Sequence, residues 1–187
     1  MGNQTDRKIE KAKVTSVASM VKIAVCAALI AVCAWLTIPM TVPFTLQTFA
    51  VFLTLKLLGG RRGTIAILVY ILLGAVGLPV FASFKGSMGA LMGPTGGYII
   101  GFLLTGLLYW GLERIMKNTW IEDAILVAGL LLCYLFGTVW FTHVMSLKGN
   151  SLTLLQGLTM CVFPYIIPDL LKLALADLLG RRLKRFV

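Results

Sequence analysis

Residues 163–179 read FPYIIPDLLKLALADLL, an apolar run that holds an aspartate and a lysine well inside its ends. Asp169 and Lys172 are three residues apart, so on a helix they share one face. An isolated charge at membrane depth costs about 2.5–3.5 kcal/mol on insertion scales, and an opposite charge beside it offsets that cost. The stretch therefore predicts a membrane helix with a buried pair, which either binds a polar ligand or only fixes helix packing.

Two prolines precede this pair and bear on its depth. Pro164 and Pro168 each remove a helix donor, and a kink there would open a cavity beside the pair. If the last helix covers residues 152–179, Asp169 lies about 6 Å to the inner side of the midpoint, at about 1.5 Å per residue. Either an outward-opening site reaches that deep, or the helix begins later in the chain.

The composition of the whole chain also indicates a membrane protein. Of 187 residues, 59% are hydrophobic and 13% charged, against about 45–50% and about 25% in soluble domains. A bilayer core about 30 Å thick needs about 20 apolar residues per helix. The expected fold is an all-α integral membrane protein, a compact bundle of six transmembrane helices forming one domain over 1–187. A bundle of this size leaves no room in the chain for a soluble ATPase domain. Although Lys and Arg outnumber Asp and Glu, no nucleic acid is expected as a partner.

The six predicted helices are separated by Gly-, Pro- or charge-rich turns, including a basic turn at 59–63, and cover residues 17–40, 48–58, 64–84, 98–112, 122–145 and 152–179. Among the Lys and Arg residues, only Lys85 and Lys148 fall in the loops of one side, and Lys172 falls within a helix. The others, including those of the basic segments 1–16 and 180–187, fall on the opposite side. Because positive residues favour the cytoplasm, both termini are expected there.

The loops of the other face hold the remaining candidate binding residues. A helix that begins after Gly93-Pro94-Thr95 presents backbone N–H groups that attract an anion or a carbonyl oxygen, although the same sequence also suits a tight turn. A tryptophan near a helix end fits an aromatic belt and also borders these loops. The candidates are Thr45, Gln47, Gly96, Gly97, Tyr98 and Trp35.

Small residues on the first helix are spaced four apart, as Ala24 with Ala28 and Ala27 with Ala31. Such spacing lets another helix approach closely, either a partner's helix or one of this chain. By contrast, the four cysteines lie in apolar runs, and His143 has no companion at ligand spacing. We therefore expect no disulfide framework, no metal site and no catalytic residues.

Four motifs carry a resemblance: FTLQTF at 44–49, GLPVFA at 77–82, GPTGGY at 93–98 and PYIIPDLLK at 164–172. In this order, over about residues 22–180, the chain resembles the BioY family, the biotin-specific substrate-binding (S) components of energy-coupling factor (ECF) transporters. The resemblance implies six helices, an outward-facing biotin site, and a prokaryotic cell membrane as the location. It also implies a partner complex of a transmembrane coupling protein and two ATPases. One departure, Ser87-Met88-Gly89 where many members are richer in glycine, concerns only local loop contacts.

The resemblance also suggests roles. Asp169 would accept from a ureido N–H of biotin and Lys172 would donate to an oxygen, while Thr45 and Gln47 close over the ligand and Tyr98 packs on the bicycle. Biotin is then the transported substrate, and no cofactor is expected. The alternatives are an S component for another vitamin, such as thiamine or riboflavin, an intramembrane enzyme, or a ligand-free structural bundle.

Overall fold

The computed structural model describes residues 2–40, 42–150 and 152–185. Within these ranges the chain is mostly helical, with one short antiparallel ribbon and two single-turn 3-10 segments at Ala82–Phe84 and Glu113–Ile115. The ribbon pairs Thr37 with Thr45. The helices and strands, in chain order, are α1 (Gly2–Trp35), β1 (Thr37–Ile38), β2 (Phe44–Thr45), α2 (Gln47–Ala75), α3 (Met88–Leu91), α4 (Gly96–Leu112), α5 (Thr119–Leu147), α6 (Leu154–Cys161) and α7 (Phe163–Leu183).

Several of these helices are long and apolar enough to cross a membrane. Four satisfy this criterion in the described residues: α1 over Ser16–Trp35, α2, α4 with the turn that follows it, and α5. The pair α6 and α7, bent by 46° at the break between them, satisfies it when taken together. Large apolar side chains such as Val25, Leu131 and Leu135 are exposed on the outside of the bundle, where hydrocarbon would cover them. The fold is that of a multi-pass helical membrane protein.

Helix α2 reverses direction at Gly59, so that its two halves lie side by side. In a straight helix Gln47 and Tyr70 would be about 35 Å apart, at about 1.5 Å per residue, but Gln47 Nε2 donates to Tyr70 Oη at 3.0 Å. A Cβ added at Gly63 would likewise lie 3.1 Å from Leu55 Cα. Gly59 has φ 76° and ψ 178°, a backbone conformation that residues with a Cβ rarely adopt. This glycine defines one end of the bundle, the Gly59 end, opposite the ribbon end.

The predicted boundaries around this reversal need correction. The basic turn predicted over 59–63 is reduced to one non-helical residue, because residues 60–63 already form helix. The predicted helix 64–84 ends at Ala75, where Gly77 with φ 112° stops it. Residues 76–95 form an irregular segment that contains α3 and folds over the ribbon end.

Both ends of α1 also differ from the prediction of residues 17–40. The helix begins at Gly2, within the basic segment 1–16, and ends at Trp35 instead of Met40. It ends there because Pro39 and Pro43 disfavour helix, and the chain forms the ribbon β1–β2 instead. The predicted helices 98–112 and 122–145 agree with α4 and α5 to within three residues.

Helices α4 and α5 approach each other closely at glycine. A Cβ added at Gly101 would lie 2.6 Å from Cys133 Sγ and 3.0 Å from Cys133 Cα. One turn further on, Thr105 Oγ1 donates to the Gly129 carbonyl at 2.8 Å. Small residues and interhelical hydrogen bonds are the main sources of helix association in a bilayer, so this contact is a principal packing element.

We expect Gly101→Ala to lower the thermal unfolding midpoint of the purified chain. Its methyl group would force α4 and α5 apart, and overpacking of this kind costs about 1–3 kcal/mol. Gly111→Ala is the matched control on the same helix, because nothing lies within 4 Å of its added Cβ. It should leave the midpoint unchanged or raise it. Equal midpoints for the two variants would contradict this account of the α4–α5 contact.

Candidate functional site

A cavity of about 300 Å³ lies at the ribbon end of the bundle. Its walls come from the ribbon and the loop between its strands, the first turn of α2, the irregular segment 76–95, the facing sides of α4, α5 and α7, and the last residue of α6. The volume is at the lower end of the range of about 300–1,000 Å³ that is typical of small-ligand sites. Most of the lining is apolar or aromatic, and a cluster of polar side chains lies at its base.

The base of the cavity is formed by the charged pair of α7. Lys172 Nζ donates to Asp169 Oδ1 at 2.7 Å and to the Thr45 carbonyl at 2.6 Å. The two side chains belong to residues only 4% and 5% exposed. Lys172 Nζ also lies 4.0 Å from the centre of the Phe44 ring, a favourable position for a cation. The charges therefore stabilise each other, and the ribbon is tied to α7 through the lysine.

Tyr134 of α5 completes this group of polar side chains. Its hydroxyl donates to Asp169 Oδ2 at 2.6 Å. A carboxylate has about four acceptor positions, so Asp169 keeps acceptor capacity for a ligand after binding Tyr134 and Lys172. The three side chains come from two helices and are held by one another, and we call them the polar triad.

The break between α6 and α7 sets the position of Asp169 along its helix. The predicted helix 152–179 is divided at Val162, whose φ of −125° and ψ of −55° are not helical. Pro164 lies in the first turn of α7, and Pro168 donates no hydrogen bond to the carbonyl four residues earlier. Asp169 is therefore in the second turn of a helix that begins at Phe163. This helix begins later in the chain than the predicted residue 152, after α6 and the break at Val162.

Thr45 and Gln47 both line the cavity, beside the triad. The Thr45 hydroxyl accepts from the Gln47 backbone N–H at 3.2 Å, and the Gln47 side chain is held by Tyr70. Tyr165, one turn before Asp169, donates to the Val42 carbonyl, and its ring lies 6.1 Å from that of Phe44. These contacts attach the ribbon to the bundle directly above the polar triad.

The motif Gly96-Gly97-Tyr98 divides between the cavity and the packing around it. Tyr98 lines the cavity and its hydroxyl lies 3.0 Å from Thr138 Oγ1. Gly96 and Gly97 do not line the cavity. A Cβ added at Gly96 would lie 1.6 Å from the Leu91 carbonyl oxygen, and a Cβ added at Gly97 would lie 2.3 Å from Trp140 Cβ. The N–H of Gly96 donates to Gly93 and that of Tyr98 to Thr95, so loop carbonyls already occupy these donors.

Trp35 lies outside the cavity, where it supports the irregular segment. Its Nε1 donates to the Pro79 carbonyl at 2.8 Å, and its ring stacks on Phe84 with centroids 5.1 Å apart. On α1, the alanines divide between two faces. Ala27 and Ala31 are 2% and 6% exposed and pack within this chain's own core, whereas Ala24 and Ala28 are exposed. Of the four alanines predicted for a partner surface, Ala24 and Ala28 are the exposed ones.

Tyr134, Tyr165 and Lys85 are lining residues to which the sequence-based prediction gave no role. Tyr134 and Tyr165 stand in apolar helices, and the signal that could have found them is that a buried tyrosine hydroxyl needs a polar partner. Lys85, counted only as a loop charge, is an exposed residue that lines the mouth of the cavity. Among the described lining residues, Lys85 and Lys172 are the cations.

Apolar membrane helices around a cavity with a buried charged pair define a class, that of multi-pass membrane proteins that recognise a small polar ligand. The chain belongs to the BioY family, whose family model matches residues 6–187.

Relatives and a solved structure agree with this membership. The chain is 43% identical to biotin transporter BioY of Thermotoga maritima over 169 residues, which is 89% of this chain and 95% of that protein. It is 39% identical to biotin transporter BioY2 of Lactococcus lactis subsp. cremoris over 173 residues, covering 91% and 92% of the two chains. A crystal structure of the S-component for biotin from an ECF-type ABC transporter superposes with a TM-score of 0.80 at 28% identity, covering 91% of this chain and 93% of that one.

We expect either single substitution in the pair, Lys172→Met or Asp169→Asn, to destabilise the chain more than the double substitution does. Removing one partner leaves a buried charge uncompensated, which costs about 3–5 kcal/mol, whereas removing both leaves none. Thermal unfolding of the purified variants measures this order. Lys148→Met, at an exposed residue of the α5–α6 turn, controls for the loss of a lysine. A double variant less stable than both singles would contradict the assignment of a mutually compensating pair.

Proposed function

We propose that this chain is the biotin-binding S component of an ECF-type transporter, with the polar triad as the centre of its substrate site. The observation that carries the proposal is the buried Asp169–Lys172 pair with Tyr134 at the base of a small-molecule cavity. Family membership supports biotin as the ligand, because several relatives are named as biotin transporters. The family is one of transporter components, and the chain is not an enzyme.

The chemistry of biotin fits the cavity in one direction. The ureido group offers two N–H donors and a carbonyl oxygen, which match the free acceptor positions of Asp169 and the ammonium of Lys172. The carboxylate of biotin would be repelled by Asp169 and needs a cation elsewhere. Lys85 at the mouth supplies one. We therefore orient the ureido ring toward the triad and the carboxylate toward Lys85, with Thr45, Gln47 and Tyr98 around the bicycle.

The membrane arrangement is also a proposal. We assign six crossings in one domain: α1, the two halves of α2, α4, α5, and α6 together with α7. Both termini then lie in the cytoplasm, because Arg61, Arg62 and the C-terminal basic residues share the Gly59 end. The cavity opens at the other face, toward the outside of a prokaryotic cell membrane.

The proposed partners are a transmembrane coupling protein and two ATPases, which supply the energy. A neighbour described as part of an ECF-type ABC transporter supports this. The exposed alanines Ala24 and Ala28 offer a flat surface on α1 where a helix of the coupling protein can approach closely. Biotin is the transported substrate in this assignment, so no further cofactor is proposed.

Titration of the purified, detergent-solubilised chain with biotin, thiamine and riboflavin, without ATP, tests the proposal. We expect saturable binding of biotin and none of the other two at comparable concentration. An S component for a different vitamin would bind thiamine or riboflavin in preference, and a structural bundle would bind none of the three.

Asp169→Asn should weaken biotin binding per folded molecule about 10- to 160-fold, because a hydrogen bond to a charged group contributes about 1.5–3 kcal/mol. Isothermal titration of the folded fraction measures this change. Glu113→Gln is the control, since Glu113 accepts from the Gly60 N–H at the far end of the bundle and should keep normal affinity. Unchanged affinity in Asp169→Asn would leave the pair with a packing role only.

Lys85→Met should weaken binding of biotin by about two- to fivefold, the range of an exposed ion pair worth up to about 1 kcal/mol. The same substitution should not affect an uncharged methyl ester of biotin. Measuring both ligands on both proteins isolates the charge interaction. The proposed orientation is wrong if the ester and the acid lose affinity equally.

A further inference from the structure

A second group of charges, with a buried lysine at its centre and partly exposed carboxylates around it, lies at the Gly59 end, away from the cavity. Lys56 of α2 is 3% exposed, and its Nζ lies 2.5 Å from Asp123 Oδ1 of α5 and 2.7 Å from Asp177 Oδ1 of α7. Asp177 also pairs with Arg181 at 2.6 Å. None of these residues lines the cavity, so the group has no direct part in ligand contact.

The stem of Lys56 is enclosed by α7. A Cβ added at Gly180 would lie 3.3 Å from Lys56 Cβ and 3.4 Å from its Cδ, so α7 crosses directly over the lysine side chain. The ammonium is therefore held between two carboxylates and a close helix crossing. Lys56 fixes three helices, α2, α5 and α7, against one another at a single point.

These same three helices carry the substrate site further along, toward the ribbon end. Gln47 begins α2, Tyr134 lies in α5, and Asp169 lies in α7. At about 1.5 Å per residue, the distances along the helices to Lys56, Asp123 and Asp177 are about 14, 17 and 12 Å. A change in how these helices meet at Lys56 thus changes the spacing of the site residues.

A buried ion pair is a weak source of net stability, because desolvation offsets most of the attraction. It does impose a fixed geometry, and binding sites need their groups held to within about 0.5 Å. We infer that Lys56 is a positioning residue for the substrate site: its two ion pairs set the relative placement of α2, α5 and α7, and through them the polar triad. The inference rests on the proposed biotin site.

The test is the affinity for biotin per folded molecule of Lys56 variants in the full chain. We expect Lys56→Met to bind about tenfold more weakly than wild type, mainly through faster dissociation. Asp123→Asn and Asp177→Asn each remove one of the two bridges and should give smaller losses, which keeps the test informative if Lys56→Met folds poorly. Lys56→Arg keeps the charge and should recover most of the affinity.

Leu55→Ala is the matched control for lost stability. Leu55 is the neighbour of Lys56, fully buried, and its truncation destabilises the same helix without removing a charge. It should unfold at lower temperature yet bind biotin normally once folded. Wild-type affinity in Lys56→Met and both aspartate variants, or an equal loss in Leu55→Ala, would overturn the inference. Failure of the wild-type chain to bind biotin would instead count against the proposed function.

Discussion

The cost of placing charge inside an apolar bundle is the constraint on which this structure depends. Asp169 and Lys172 are both almost fully buried, and each is tolerable there only because the other, with Tyr134 and the Thr45 carbonyl, satisfies it. The same contacts connect α5, α7 and the ribbon. Because the two charges must be paired, α5, α7 and the ribbon, which all line the cavity, are held together.

Two interruptions of the helices, at Val162 and at Gly59, position residues of the site. The sequence predicted a continuous helix over 152–179, but the break at Val162 places Asp169 in the second turn of α7. At the opposite end, the reversal at Gly59 returns the second half of α2 alongside the first, so that Tyr70 can hold Gln47. The reversal is at a glycine, which adopts the required backbone conformation without a Cβ clash, and the break is two residues before Pro164, in the first turn of α7 where proline is tolerated.

Much of this was predictable from the sequence. Apolar composition indicated a membrane protein, and the isolated charges in 163–179 indicated the buried pair that the structure places in the lining of the cavity, because buried charges are rare and costly. Boundaries were less predictable: the hydropathy of residues 64–84 does not reveal that Gly77 stops the helix at Ala75. Tyr134 and Lys56 were not identified as buried partners, since their roles depend on which helices become neighbours. Hydropathy also cannot separate the inward-facing Ala27 from the exposed Ala28.

The structure of the chain with bound biotin tests the central claim most directly. We expect biotin in the cavity at the ribbon end, with a ureido nitrogen about 2.7–3.2 Å from a carboxylate oxygen of Asp169 and the carboxylate of biotin beside Lys85. Biotin bound outside this cavity, or bound within it with its carboxylate on Lys172 and its ureido ring at the mouth, would contradict the account.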